Sequence, residues 1–266
     1  MDVVSRHQHE IIHMKMITRK LTFIAAALMC IASVSCKKDT TIQYNNLTMG
    51  NVTEGRFVSD QGNIFNVTEK DESITKDLLE MNRAYILCDV LNKTVGGLDN
   101  EYDIRLNAMV DVKTKDIIAL GTELNEEQMT DDPAYIEYAW FSGGYINLYV
   151  IFPIKENSET KHLINLVQEE TEEGYLFKLR HNSYDEKLST ENVNEYVMAG
   201  GYISFPISSV IVEDRANVKI EWTWHKQSGL GLSQETETYS ITGTYENGGF
   251  DHAPKTAKIM SRAVIK

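Results

Sequence analysis

From Gly55 onward, apolar and polar residues alternate in short runs broken by Gly, Asn, Asp and Ser, the period-two pattern of half-buried β-strands. Arg56-Phe57-Val58 runs into Ser59-Asp60-Gln61-Gly62-Asn63, and Ile64-Phe65-Asn66-Val67 resumes beyond it. The intervening Gly and Asx residues supply the positive φ that a hairpin turn needs. A strand over 83–91 puts Ala84, Ile86, Cys88 and Val90 on one face; after Gly96-Gly97, alternation returns through Tyr102, Ile104, Leu106, Ala108 and Val110. The pattern further predicts a short helical stretch over 74–81 and a closing strand over 116–120. Five strands in about 65 residues read as a small barrel or open sandwich.

Residues 121–133 (GTELNEEQMTDDP) are acidic, nearly free of apolar side chains and end in proline, so they read as a solvated linker. Beyond them, strands over 134–141 and 145–152 flank Ser142-Gly143-Gly144, a strong hairpin signal. Further strands are expected over 175–180, 202–205, 210–212, 218–225 and 238–245, a β-sandwich spacing, with a last edge strand over 257–265. Residues 161–168 fit a strand or a helical turn equally well.

The N-terminal 35 residues follow a different pattern. Lys15, Arg19 and Lys20 precede an apolar run over 21–32 in which only Thr22 is polar. About 12 apolar residues are too few to span a ~30 Å hydrocarbon core but suit a signal peptide. Ser33-Val34-Ser35-Cys36 then resembles the lipobox of bacterial lipoproteins, in which the cysteine becomes the acylated first residue. Two or three acyl chains suffice for stable anchoring. Lys37 stands where an inner-membrane retention signal would place Asp, so the expectation is an outer-membrane lipid anchor at Cys36, facing either the periplasm or the exterior. Residues 36–54 form the expected tether, in which Asp39-Thr40-Thr41 resembles an O-glycosylation acceptor at Thr40. His7, His9 and His13 precede the internal starts Met14 and Met16 and receive no function.

Charge narrows the partners. Residues 36–266 carry 22 basic and 37 acidic side chains, a net −15, and residues 55–120 carry eight and 12. Such a surface repels phosphate backbones, so nucleic acid is excluded as a partner. After loss of Cys30 and lipidation of Cys36, Cys88 stands alone, and the fold must rest on its core rather than on a disulfide.

No chemistry-bearing motif rises above this background. His162, His181, His225 and His252 show no metal-ligand spacing, and His181 at a strand end reads as a structural histidine. Cys88 has no basic activator, and no G-x-S-x-G occurs. Carboxylates are too numerous for any pair to signal a glycosidase; Glu126-Glu127 and Asp131-Asp132 read as solvated. No catalytic residue, metal or cofactor is assigned. In Ile220-Glu221-Trp222-Thr223-Trp224-His225, alternation sends both tryptophans to the core with Ile220. Trp140, beside the Gly-Gly turn, and Tyr145 are left as candidate contacts for a glycan or a protein partner.

An ordered set of short motifs resembles the NigD-like lipoproteins of Gram-negative gut and oral anaerobes. After the lipobox come Phe57-Val58-Ser59-Asp60-Gln61-Gly62, Arg83-Ala84-Tyr85-Ile86 and Tyr102-Asp103-Ile104. Asp132-Pro133, Trp140-Phe141-Ser142-Gly143-Gly144-Tyr145-Ile146-Asn147, Lys161-His162-Leu163-Ile164-Asn165-Leu166 and Leu179-Arg180-His181-Asn182 follow. Asn82 departs from the glycine expected before Arg83. The resemblance implies an all-β chain, a small OB-like barrel (55–120) followed by a β-sandwich (134–266), and carries over no catalytic residue. The expected function is a non-enzymatic envelope lipoprotein with a protein partner. Bacteriocin self-protection is suggested by the family name alone; a glycan-binding lipoprotein and an unrecognised hydrolase are the alternatives.

Overall fold

In the computed structural model, which describes residues 46–186, 195–211, 213–228 and 231–245, the alternation resolves into strands β1 to β13. The first five, β1 (Asn46–Thr53), β2 (Arg56–Ser59), β3 (Ile64–Lys70), β4 (Arg83–Lys93) and β5 (Glu101–Asp111), close a barrel in the order β1-β2-β3-β5-β4. β3 and β5 run parallel, and the other neighbours antiparallel. This is the expected OB-like barrel. Its core is Phe57, Phe65, Ile86, Cys88, Ile104 and Leu106, which are the inward set of each alternating strand. Gly50 permits the tight crossing of β1 over β2, since a Cβ there would lie 2.2 Å from the Val58 carbonyl oxygen.

The fifth strand is not the expected one. β1 lies inside the segment read as tether, where its Thr/Asn-rich composition concealed it, and residues 116–120 leave the barrel altogether. Ile117 is buried in the sandwich core and Ile118 bridges Val167. The helical stretch over 74–81 reduces to a 3-10 turn, Leu78–Glu80. Asp77 is extended (ψ 130°) and caps that turn through Leu79 N–H, which stops a segment already too short to sustain an α-helix. Leu78 joins the barrel core. Asn82 is accommodated: its carbonyl accepts from Val52 N–H at 2.9 Å.

The sandwich pairs one sheet of order β13-β12-β10-β9 with another of order β6-β11-β8-β7. The first comprises β9 (Leu163–Glu169), β10 (Tyr175–Asn182), β12 (Ala216–Ser228) and β13 (Gly231–Tyr245). The second comprises β6 (Lys113–Thr114), β7 (Tyr135–Ser142), β8 (Tyr145–Lys155) and β11 (Tyr196–Pro206). The ambiguous stretch at 161–168 is therefore a strand. Near 210 no strand forms; a 3-10 turn, Ile207–Ser209, stands before it, and Val212 and residues 257–265 lie outside the described residues. Trp222 and Trp224 are buried in the core with Ile220, as their alternation predicted.

The acidic segment is not simply solvated. Asn125 opens a one-turn helix α1 (Glu126–Met129) with a complete capping box, while the Asp131 carboxylate meets Lys178 Nζ at 2.8 Å and Thr223 Oγ1 at 3.1 Å. Asp132 accepts from Ser183 N–H and Oγ–H at 2.9 and 2.6 Å.

Barrel and sandwich belong to one compact unit. Strand β8 shows why: its alternate faces enter two different cores. Ile146, Leu148, Val150, Phe152 and Ile154 fill the sandwich, while Tyr149 packs with Met49, Tyr85, Val112, Trp140 and Tyr202 against the barrel. A strand covered on both faces needs an apolar run rather than alternation, which is how Tyr145–Lys155 reads.

Candidate functional site

At this junction β1, the β2–β3 turn and β4 meet β7, β8 and β11, and a closed polar network sits among the aromatic rings. Arg83, the first residue of β4, has its side chain 1% exposed, and Asp60 in the turn is 2% exposed. All five guanidinium N–H groups find acceptors. Nη1 donates to Asp60 Oδ1 and Asn51 Oδ1, both at 2.9 Å, and Nη2 to Asp60 Oδ2 at 2.7 Å and Asn147 Oδ1 at 3.0 Å. Nε donates to Ser204 Oγ at 2.9 Å. Ser142 Oγ–H donates to Asp60 Oδ2 at 2.5 Å and accepts from Asn147 Nδ2 at 3.0 Å. Three barrel side chains and three from the sandwich are thus joined around one forked ion pair. Gly143 (φ 57°) lets the β7–β8 turn approach, because a Cβ there would lie 2.2 Å from Asp60 Oδ1.

The two candidate contact residues frame this network. The Tyr145 ring lies over the guanidinium, 4.1 Å from Arg83 Cζ. Trp140 is only 9% exposed and packs against Tyr85 and Tyr202, with ring centroids 6.4 Å away in each case. Nearness to the turn suggested an open face for Trp140; the barrel covers that face instead. Burial raises the phenol pKa of Tyr85 to about 12 and that of Tyr202 still further. Among the described residues, Tyr202 OH has no hydrogen-bond partner. Cys88 is fully buried in the barrel, and burial, then the Asp89 charge, push its thiol up to about 12, which removes it as a nucleophile. Cys36 and Thr40 lie outside the described residues.

A second buried polar group went unseen in the sequence. His162 (0% exposed) and His181 (2%), nineteen residues apart, stack on Phe152 and meet with Nδ1 of His162 2.9 Å from Nε2 of His181. His181 Nδ1 faces the carbonyl oxygens of Asp132 and Pro133 at 3.2 and 3.1 Å, so it carries a hydrogen. Its Nε2 then accepts from His162 Nδ1–H, and His162 Nε2 faces Glu186 Oε2 at 3.4 Å. Burial, reinforced by His162, lowers the His181 pKa to about 4; burial also lowers that of His162, against the pull of Glu186. His225 is 5% exposed, although alternation placed it on the polar face.

Among the described residues, no group of three His, Cys, Asp or Glu side chains is arranged to hold a metal ion, and no helix is long and apolar enough to cross a membrane. The sandwich carries a shallow recess of about 330 Å³ lined by Tyr135, Trp224, Lys226, Glu237 and Tyr239.

Residues 116–240 match the NigD-like C-terminal beta sandwich domain. No curated protein matches the chain. Among solved structures, a protein described as toxin-related from Parabacteroides distasonis aligns with a TM-score of 0.50 and 20% identity over 74% of this chain and 92% of its own. A protein of unknown function from Bacteroides vulgatus aligns at 0.51 and 18% over 83% and 99%. A NigD-like immunity protein from Bacteroides caccae aligns at 0.49 and 14% over 74% and 93%. At these identities the likeness to the first two is one of fold alone.

Proposed function

We propose that this chain, whose residues 116–240 match the NigD-like C-terminal beta sandwich domain, is a non-enzymatic lipoprotein of the cell envelope that presents a two-domain β surface to a protein partner. One observation carries the reading: the side chains of the Arg83 network and of the histidine pair are consumed by one another and by the backbone. Arg83 spends every N–H on acceptors of the barrel and the sandwich, and the two histidines are spent on each other and on backbone carbonyls. The Arg83 network holds barrel and sandwich in register, and the histidine pair braces the sandwich from within; a catalytic site keeps a nucleophile, a base or an acceptor turned toward substrate.

The lipobox at Cys36 supports anchoring, and Lys37 supports the outer membrane as the destination. The net charge of −15 over residues 36–266 favours a basic or neutral partner over nucleic acid. Bacteriocin self-protection is one form this partnership could take. Crosslinking on intact cells, followed by purification of the chain, should recover the same protein repeatedly from wild type and lose it when Cys36→Ala releases the anchor. Repeated recovery of nothing beyond background sinks the reading.

A glycan-binding role has its own observation, the recess between Tyr135, Trp224 and Tyr239, where the two tyrosine rings stand at 85° with centroids 6.3 Å apart. Glycan-array binding lost in Tyr239→Ala but kept in Trp140→Phe would favour that role.

A further inference from the structure

The β4–β5 loop (94–100) holds two apolar side chains in solvent on a tightly fixed frame. Val95 is 96% exposed and Leu98 59% exposed. Gly97 N–H donates to the Thr94 carbonyl at 3.1 Å, and Gly96 has φ 77°, as the third position of a type II turn demands. Glu101 N–H closes a second turn onto the Leu98 carbonyl at 3.0 Å. The Glu101 carboxylate then accepts from Leu98 N–H at 3.1 Å and from Asn66 Nδ2 at 2.9 Å. Asn66 and Glu101 therefore brace the loop from the barrel wall, and neither apolar side chain contributes to that bracing.

The register of β1 tells where this tip points. Asn46 pairs with Cys88 and Asn51 with Arg83, so β1 enters the barrel at the end toward which β4 is heading. β4 continues to Lys93 before the loop turns back. Chain entry and apolar tip thus share one end of the barrel, while the β3–β4 connection with Leu79 occupies the other. Cys36 lies ten residues before Asn46, at most about 35 Å of fully extended chain. A tether of that length keeps the bilayer that holds acylated Cys36 within reach of this end of the barrel.

We infer that Val95 and Leu98 form a membrane foot, a structured loop tip that enters the lipid headgroup and acyl boundary and seats the barrel end-on against the bilayer. The inference rests on the lipid anchor proposed above. An apolar tip of two side chains adds little affinity beside acyl chains. Its effect is orientation: a tether alone lets the domains tumble, and a second contact fixes which surface faces outward.

The test uses the full acylated chain in phosphatidylethanolamine–phosphatidylglycerol vesicles, with Val95→Cys carrying an environment-sensitive fluorophore. Cys88 is buried and does not compete for the label. Leu79→Cys, at a position 48% exposed on the opposite end, is the reference. Spin-labelled lipid should quench the label at 95 severalfold more strongly than at 79. Equal quenching in a chain that floats with the vesicles overturns the foot and leaves the anchor standing. Shielding from aqueous iodide without lipid quenching also overturns it, since a second copy of the chain would then cover the tip. A chain that does not float and carries no acyl mass overturns both readings.

Discussion

Arg83→Met is the perturbation that most directly probes the junction. Methionine keeps part of the side chain's volume and deletes five hydrogen bonds, leaving the Asp60 carboxylate, 2% exposed, with the Ser142 hydroxyl as its remaining side-chain donor. Stripping one partner from a buried ion pair costs about 3–5 kcal/mol. Counting bonds leads to a similar figure, since the two lost hydrogen bonds to the carboxylate contribute about 1.5–3 kcal/mol each. With a urea slope near 2 kcal/mol/M, the unfolding midpoint should fall by about 2 M. Asp60→Leu should be comparably harmful, because it buries the guanidinium without a counter-charge.

The double variant Arg83→Met/Asp60→Leu decides between a charge effect and simple loss of packing. With both charges gone, the residual cost is the hydrogen bonds lost by Asn51, Asn147, Ser204 and Ser142, at about 1 kcal/mol or less each. Asn147 keeps its bond from Ser204 at 2.7 Å, which limits the damage. The double variant should thus lose less than either single variant, with a coupling energy of about 3 kcal/mol or more. Urea unfolding followed by tryptophan fluorescence is well placed to report this, because Trp140 lies in the junction and Trp222 and Trp224 in the sandwich. Additive single effects, or a loss under about 1 kcal/mol for Arg83→Met, would refute the assignment of this network as the clamp between the domains.

Four further outcomes are expected. The His181 pKa falls from 6.5 in the exposed imidazole to about 4 in the fold, so the unfolded chain takes the proton first. Stability present above pH 6.5 is therefore lost as pH falls toward 4, by about 3 kcal/mol, and urea midpoints at pH 7 and 5 should converge in His181→Gln. Tyr202→Phe removes a buried hydroxyl that has no partner among the described residues and should raise the melting temperature, with a gain of up to about 1 kcal/mol; a lower melting temperature contradicts the unpaired state. Cys88 should react with a thiol reagent only as fast as the barrel unfolds, which hydrogen exchange on β4 would calibrate. Gly143→Ala combines positive φ with a clash on Asp60 and should cost about 3 kcal/mol or more by calorimetry.

What could be read from the chain follows the range of the interactions involved. Period-two runs and Gly-Gly or Asp-x-Gly turns are local, and they placed most strands, the β7–β8 hairpin and the inward face of Trp222 and Trp224. β1 escaped because its eight residues hold only three large apolar side chains, Leu47, Met49 and Val52, among Asn, Thr and Gly, and the count of five barrel strands came out right with a wrong member. Asp131 and Asp132 read as solvated because their partners, Lys178, Ser183 and Thr223, lie 47 to 92 residues further along the chain. The junction left one usable signal: the nearly unbroken apolar run of β8 implied a strand covered on both faces, and only a second domain could provide the second cover.

The motifs that carried the resemblance take on a specific meaning once folded. Asp60, Arg83, Ser142, Gly143, Tyr145 and Asn147, scattered over three separate stretches, converge on the clamp between barrel and sandwich. Asp132, His162 and His181 converge on the histidine pair. A chain identified through such residues is identified largely by how its folds are held: barrel to sandwich by the Arg83 network, and the sandwich within itself by the histidine pair. The partner proposed above then has to be met where the clamp does not reach: in the acidic outer faces, the aromatic recess of the sandwich, and the exposed loop tips. The clamp still bears on function in one way. By making two small domains a single body, it lets one contact at the Val95–Leu98 tip orient every one of those surfaces relative to the membrane that Cys36 is proposed to enter.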